Sequence, residues 1–126
     1  MEFLTEVTIT VPEGTSDDDV RAAIEAERAR ARVLAEQGHL VRIWRPRRPG
    51  WANVGLWRAA DEAELRPILE SLPLFPWMSI DVRPLDPHPS DPLLHEQQPY
   101  EEAQPAPGGV AAHWTEGRTE HETEHF

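Results

Sequence analysis

HLVRIWRPRRPGWANVGLW, residues 39–57, is the stretch that decides the fold. Its two halves, HLVRIWR (39–45) and WANVGLW (51–57), are rich in the β-branched and aromatic residues that favour strands. Between them PRRPG supplies two prolines and a glycine, which end one strand and turn the chain back into the next. The spacing predicts a hairpin. Its two strands are then antiparallel neighbours, and what flanks them sets the topology.

Upstream, FLTEVTITV (3–11) alternates apolar and polar residues as a half-buried strand does. PEGTSDDD follows, with Thr15 or Ser16 as helix N-cap and three aspartates suited to the positive end of a helix dipole. A long helix is predicted from Asp17 to Gln37, with Gly38 where a C-terminal capping glycine belongs. Downstream, DEAELRPILESL (61–72) is a shorter helix; Pro67 within it means that the helix starts late or kinks. WMSIDVRPL (77–85) closes the series as a strand, with Met78, Ile80 and Val82 on one face. The order βαββαβ predicts a ferredoxin-like α+β sandwich, an antiparallel sheet with both helices on one face.

Composition narrows the function. The formal net charge is −11, against binding to nucleic acid or to anionic lipid. The chain contains no cysteine, and all 12 basic residues are arginine. Thiolate, disulfide and lysine chemistry are excluded, leaving carboxylates and histidines to move protons. No apolar run reaches the length of a membrane span, and a cytoplasmic protein is expected. Residues 1–92 read as the folded domain. Residues 93–126 are an acidic, Pro/Glu/His-rich tail, expected to be mobile unless Tyr100, Val110 or Trp114 anchors it. His121 and His125 have the i, i+4 spacing of a metal pair but lack a third ligand on an ordered scaffold, so no metal site is expected.

One carboxylate is misplaced for a surface group. At 100° per residue, Val20, Ile24, Ala31, Leu34 and Ala35 form the apolar stripe of the long helix, and Glu27 lies at its centre. Arg28 and Arg30 border that stripe. Glu27 either pairs with an arginine of the sheet, such as Arg42 or Arg45, or is a desolvated general base; periodicity leaves both open. On the third strand Trp51, Asn53, Gly55 and Trp57 share a face, where a small residue and an amide among tryptophans suit a small-molecule pocket. A small core and an aromatic strand face predict a symmetric homo-oligomer, of dimeric α+β barrel type.

The run LPLFPWMSIDVRPLDPHPS (72–90) resembles the C-terminal signature of the muconolactone isomerases. Ala26-Glu27-Arg28 in the helix, Gly38 through Trp44-Arg45, and Trp51-Ala52-Asn53 are similar to that family as well. The resemblance covers residues 1–92. It departs in the absence of lysines along the helix, in Trp77 where a tyrosine is common, in the proline-rich hairpin turn and in the long tail. It implies a cofactor-independent isomerase of aromatic (catechol) catabolism in the β-ketoadipate route, assembled as a ring-like decamer. Such an enzyme shifts the ring double bond of muconolactone to give the enol-lactone. Under this resemblance Glu27 is the proton shuttle and Arg28, Arg42 and Arg45 hold anionic groups. Asn53 donates to the lactone oxygen, and Trp51, Phe75 and His88 border the substrate. The Pro73/Pro76 knuckle is expected to seat Leu74 and Phe75 against the pocket or a neighbouring subunit. Two alternatives remain from sequence: dehalogenation of a chlorinated muconolactone, and a non-catalytic ligand-binding or assembly module.

Overall fold

The computed structural model of the chain describes residues 1–94 and 112–115. Strand β1 (Glu2–Ile9) leads to helix α1 (Asp17–Glu36), then β2 (Leu40–Trp44) and β3 (Ala52–Arg58). Helix α2 (Glu62–Glu70), a 3₁₀ turn (Phe75–Trp77), β4 (Met78–Leu85) and β5 (Ala112–Thr115) complete it. The sheet runs β2-β3-β1-β4-β5, every neighbouring pair antiparallel. The first four strands are the predicted ferredoxin-like arrangement.

Local chemistry sets the ends of α1. The Ser16 hydroxyl accepts from the Asp19 amide at 3.0 Å, and Asp17, Asp18 and Asp19 occupy the first turn. At the other end Gly38 takes φ +85°, while its amide bonds the Ala35 carbonyl and that of His39 bonds Leu34. This is the double closure that a left-handed glycine permits. Asp61 caps α2 through the Glu64 amide at 2.8 Å. That helix therefore starts on time at Glu62 with Pro67 inside it; the ring forfeits one bond near the C-terminal end, and the helix stops at Glu70.

The core lies between the helices and one sheet face. Phe3, Val7 and Ile9 of β1, Trp57 of β3, and Met78, Ile80 and Val82 of β4 meet Leu34, Leu65, Leu69, Leu72 and Leu74. Helix α1 touches the sheet along a narrow line, so Leu34 is its one fully buried residue, and Ala35, turned 100° further, is exposed.

Two features depart from the expected layout. Strand β2 contains a bulge between Leu40 and Arg42. Leu40 pairs with Trp57 and Ile43 with Gly55, facing the helices, whereas Arg42 and Trp44 pair with Leu56 and Val54 on the far face. The second departure is β5, drawn from the region read as a mobile tail. Trp114 opposite Ile80 is buried in the core, with the Arg66 guanidinium 4.5 Å from its ring centroid. His113 points to the other face, where its Nδ1 bonds Asp81 and its Nε2 lies 3.2 Å from the Ser79 hydroxyl. The expectations for Tyr100, Val110, His121, His125 and the rest of the tail lie outside the described residues.

Candidate active site

Beneath α1 the sheet leaves a small pocket that is partly open to solvent. Thr5 and Val7 of β1, Leu40 and Ile43 of β2, and Asn53 and Trp57 of β3 form its floor and side. Glu27 and Ala31 of α1 roof it, and Leu69, Leu72, Met78 and Ile80 close the far end. Among these lining residues Glu27 is the one charged side chain, and Asn53 and Thr5 are the polar ones. Ile43 lines the cavity yet is 52% exposed, so the space opens between α1 and the β2 edge.

The knuckle holds the carboxylate. Leu72, Pro73 and Leu74 lead into the 3₁₀ turn, in which the Phe75 amide bonds the Leu72 carbonyl and the Trp77 amide that of Leu74. This turn leaves the Leu74 amide free to point at α1, and it donates to Glu27 Oε1 at 2.9 Å. One helical turn further along, Arg30 Nε donates to the Ser71 hydroxyl at 3.0 Å, a second tie between helix and knuckle. Glu27 forms no ion pair among the described residues. Burial pushes its carboxyl above the ordinary 4.5, and the Leu74 hydrogen bond, which favours the charged form, opposes part of that rise.

The floor is fixed by a second polar contact. Thr5, fully buried, accepts from Trp57 Nε1 at 3.0 Å. The indole reaches across Gly55, where a Cβ would sit 2.6 Å from Trp57 Nε1 and 3.0 Å from Thr5 Oγ1. Gly55 is therefore required for the indole to lie flat against the sheet and shape the cavity.

Of the pocket candidates singled out from sequence, Glu27, Asn53 and Trp57 meet in this cavity. The others do not line it. Arg28 is exposed on α1, and Arg45 is exposed just beyond β2. Arg42 stands on the opposite sheet face, its guanidinium 5.0 Å from the Trp44 ring centroid, because the bulge reversed its side. Trp51 and Phe75 are half-buried against the core. His88 is exposed, its Nδ1 accepting from the Ser90 amide at 2.9 Å within its own loop. Thr5, Ile43, Met78 and the Leu74 amide were not anticipated. Thr5 sits in plain strand alternation, Ile43 is turned to the cavity by the bulge, and a backbone amide leaves no mark in a sequence. No group of three or more histidine, aspartate or glutamate side chains among the described residues is placed to hold a metal ion.

The fold and site define a small α+β protein with one desolvated carboxylate roofing an otherwise apolar pocket, an arrangement chemically able to exchange a proton with a bound small molecule. A family model for muconolactone delta-isomerase matches residues 1–91. The muconolactone delta-isomerase of Acinetobacter baylyi is 31% identical over 90 residues, covering 71% of this chain and 93% of that protein. That of Rhodococcus opacus is 30% identical over 89 residues, covering 71% and 95%. A crystal structure of muconolactone isomerase superposes with a TM-score of 0.68 at 27% identity, covering 75% of this chain and 98% of that one. The chain belongs to the muconolactone delta-isomerase family.

Proposed function

We propose that this protein is a muconolactone delta-isomerase in which Glu27 carries the proton. The supporting observation is the position of Glu27, the one charged group in the cavity lining, held by a backbone amide and not by an arginine. Its carboxylate takes the proton from the ring carbon bearing the carboxymethyl group. The released electron pair enters the conjugated system, giving a dienolate with its charge on the lactone carbonyl oxygen. Protonated Glu27 returns the proton to the carbon beside that carbonyl, and the ring double bond has moved. One carboxylate over one ring face serves both carbons. The Leu74 amide occupies Oε1, which orients the group and leaves Oε2 to act on the substrate. The Asn53 amide, on the opposite wall, is suited to donate to the developing oxyanion.

Raised basicity fits the task. A carboxyl shifted upward by burial is a stronger base than one in water, and the Leu74 bond, which favours the charged form, offsets part of that rise. We propose further that the enzyme works in the cytoplasm as a homo-oligomer. The sheet face away from the helices, with half-buried Leu4, Val54 and Leu56 and exposed Trp44, supports assembly through that surface. The deciding experiment follows the conjugated lactone absorbance when purified protein is added to muconolactone. Its loss, matched by appearance of the enol-lactone, is expected; no turnover at micromolar enzyme refutes the reading.

A further inference from the structure

Two hydrogen bonds join α1 to the knuckle, and one of them does not touch the base. Glu27 and Arg30 are three residues apart, so they share a face of the helix. Ser71 and Leu74, on the facing segment, are three residues apart as well. The two rungs run in opposite directions. The knuckle donates to the helix through the Leu74 amide, 2.9 Å from Glu27 Oε1. The helix donates back through Arg30 Nε, 3.0 Å from the Ser71 hydroxyl.

Chemistry assigns the protons of the second rung. A guanidinium nitrogen can only donate, and a serine hydroxyl has a single proton. Ser71 gives that proton to the Ile68 carbonyl at 2.6 Å and meets Arg30 with a lone pair. The result is a directed chain from α1 through Ser71 into the last turn of α2. Among the described residues Arg30 is in no ion pair, and its side chain makes no other hydrogen bond.

Between Ser71 and Leu74 the backbone is stiff. The Ser71 amide closes α2 on the Pro67 and Ile68 carbonyls, and the Leu72 amide bonds the Leu69 carbonyl. Pro73 then fixes its own φ immediately before Leu74. A stiff arm of this length carries a displacement at Ser71 through to the Leu74 amide. That amide has Glu27 as its one hydrogen-bond partner among the described residues.

Resting on the isomerase reading above, we infer that Arg30 and Ser71 are positioning residues of the site. Their hydrogen bond fixes the spacing at which the Leu74 amide meets Glu27, and so sets where the free carboxylate oxygen stands over the substrate. Neither residue lines the cavity. They act on the reaction only through the seat of the carboxylate.

The test uses the full chain with S71A, R30Q, the S71A/R30Q double variant and the conservative S71T. Ser71 is exposed and Arg30 half-buried, so each variant should fold. In S71A and in R30Q, kcat for muconolactone should fall several-fold with KM close to wild type. The double variant should fall no further than either single one, and S71T should restore turnover. R30Q also removes a positive charge one turn from Glu27, whereas S71A leaves that charge in place and isolates the bond. A second readout needs no substrate: the carbon-13 resonance of the Glu27 carboxyl, followed through pH. Loosening the Leu74 bond weakens an interaction that favours the charged form. The titration midpoint, already above 4.5, should therefore rise further in S71A and return in S71T. Wild-type kcat in S71A, whatever its melting temperature, overturns the proposal, as does an unmoved midpoint or a change confined to R30Q. If the midpoint moves but even the wild type fails to turn over muconolactone, the seating role stands and the substrate assignment falls.

Discussion

At the scale of single residues, Glu27 and Gly55 make opposite demands on the fold. Glu27→Gln keeps the shape and the acceptor for the Leu74 amide but removes the base. Its kcat should fall at least ~100-fold, measured at saturating lactone. Its stability should move the other way. A carboxyl whose folded pKa is raised contributes most stability below its unfolded value, and loses that contribution as pH rises through the folded value. Hence the melting temperature of Glu27→Gln should exceed that of the wild type at pH 7, and the gap should close as pH drops below the ordinary 4.5. The activity of the wild type should share that limb, falling with acid at a pH above 4.5 as the base is protonated. A variant with normal turnover and a lower melting temperature would make Glu27 a strut. Gly55→Ala should break the Trp57–Thr5 contact, since the added Cβ meets the indole at 2.6 Å. Thermal unfolding together with a red shift of tryptophan emission checks it. The carboxylate was legible in the sequence because a charge at the centre of an apolar helical stripe violates the pattern. Its partner was not, because every residue has an amide and only the knuckle geometry frees this one. Arg42 was misplaced for a comparable reason: one extra residue in β2 reverses the face of all that follow it.

At the scale of elements, β5 is the surprise and the easiest to remove. Its four residues bury Trp114, and replacing such a side chain by alanine typically costs about 3–5 kcal/mol. A chain ending at Leu94 should therefore melt well below the full-length protein, by scanning calorimetry. Its kcat should stay close to wild type, because β5 adjoins β4 while the cavity opens beside β2, at the other edge of the sheet. Loss of activity from a truncated chain that still folds would recast the tail as part of the site. The four strands and two helices of the domain were legible because period 2 and period 3.6 alternate cleanly along residues 1–85, punctuated by capping residues and turn prolines. The short β5 offered no such period. Ala-His-Trp-Thr forms a strand because β4 presents an unpaired edge and a gap for one indole, both of which exist only after the rest has folded.

At the scale of the whole molecule, a sheet with one face partly bare needs company. Light scattering at micromolar concentration should return a mass several times 14.3 kDa, and Leu56→Glu, on the uncovered face, should lower it. A monomer mass for the wild type would show that the bare face is tolerated in water. The order of the strands also fixes a sequence of events in time. The central strand is β1, the first to leave the ribosome, yet Glu2 pairs with Arg58 on one side and with Leu85 on the other. It must wait for both partners. Loop closures of that length are slow, whereas the β2–β3 hairpin and the two helices need only near neighbours. Refolding should therefore begin at the hairpin, with β1 docking late and Glu27 meeting the Leu74 amide among the final contacts made. Until then the nascent chain carries Glu27 on an open helix, its carboxyl chemically ordinary, and the group gains its buried, amide-held setting only in the last step of the chain's own assembly.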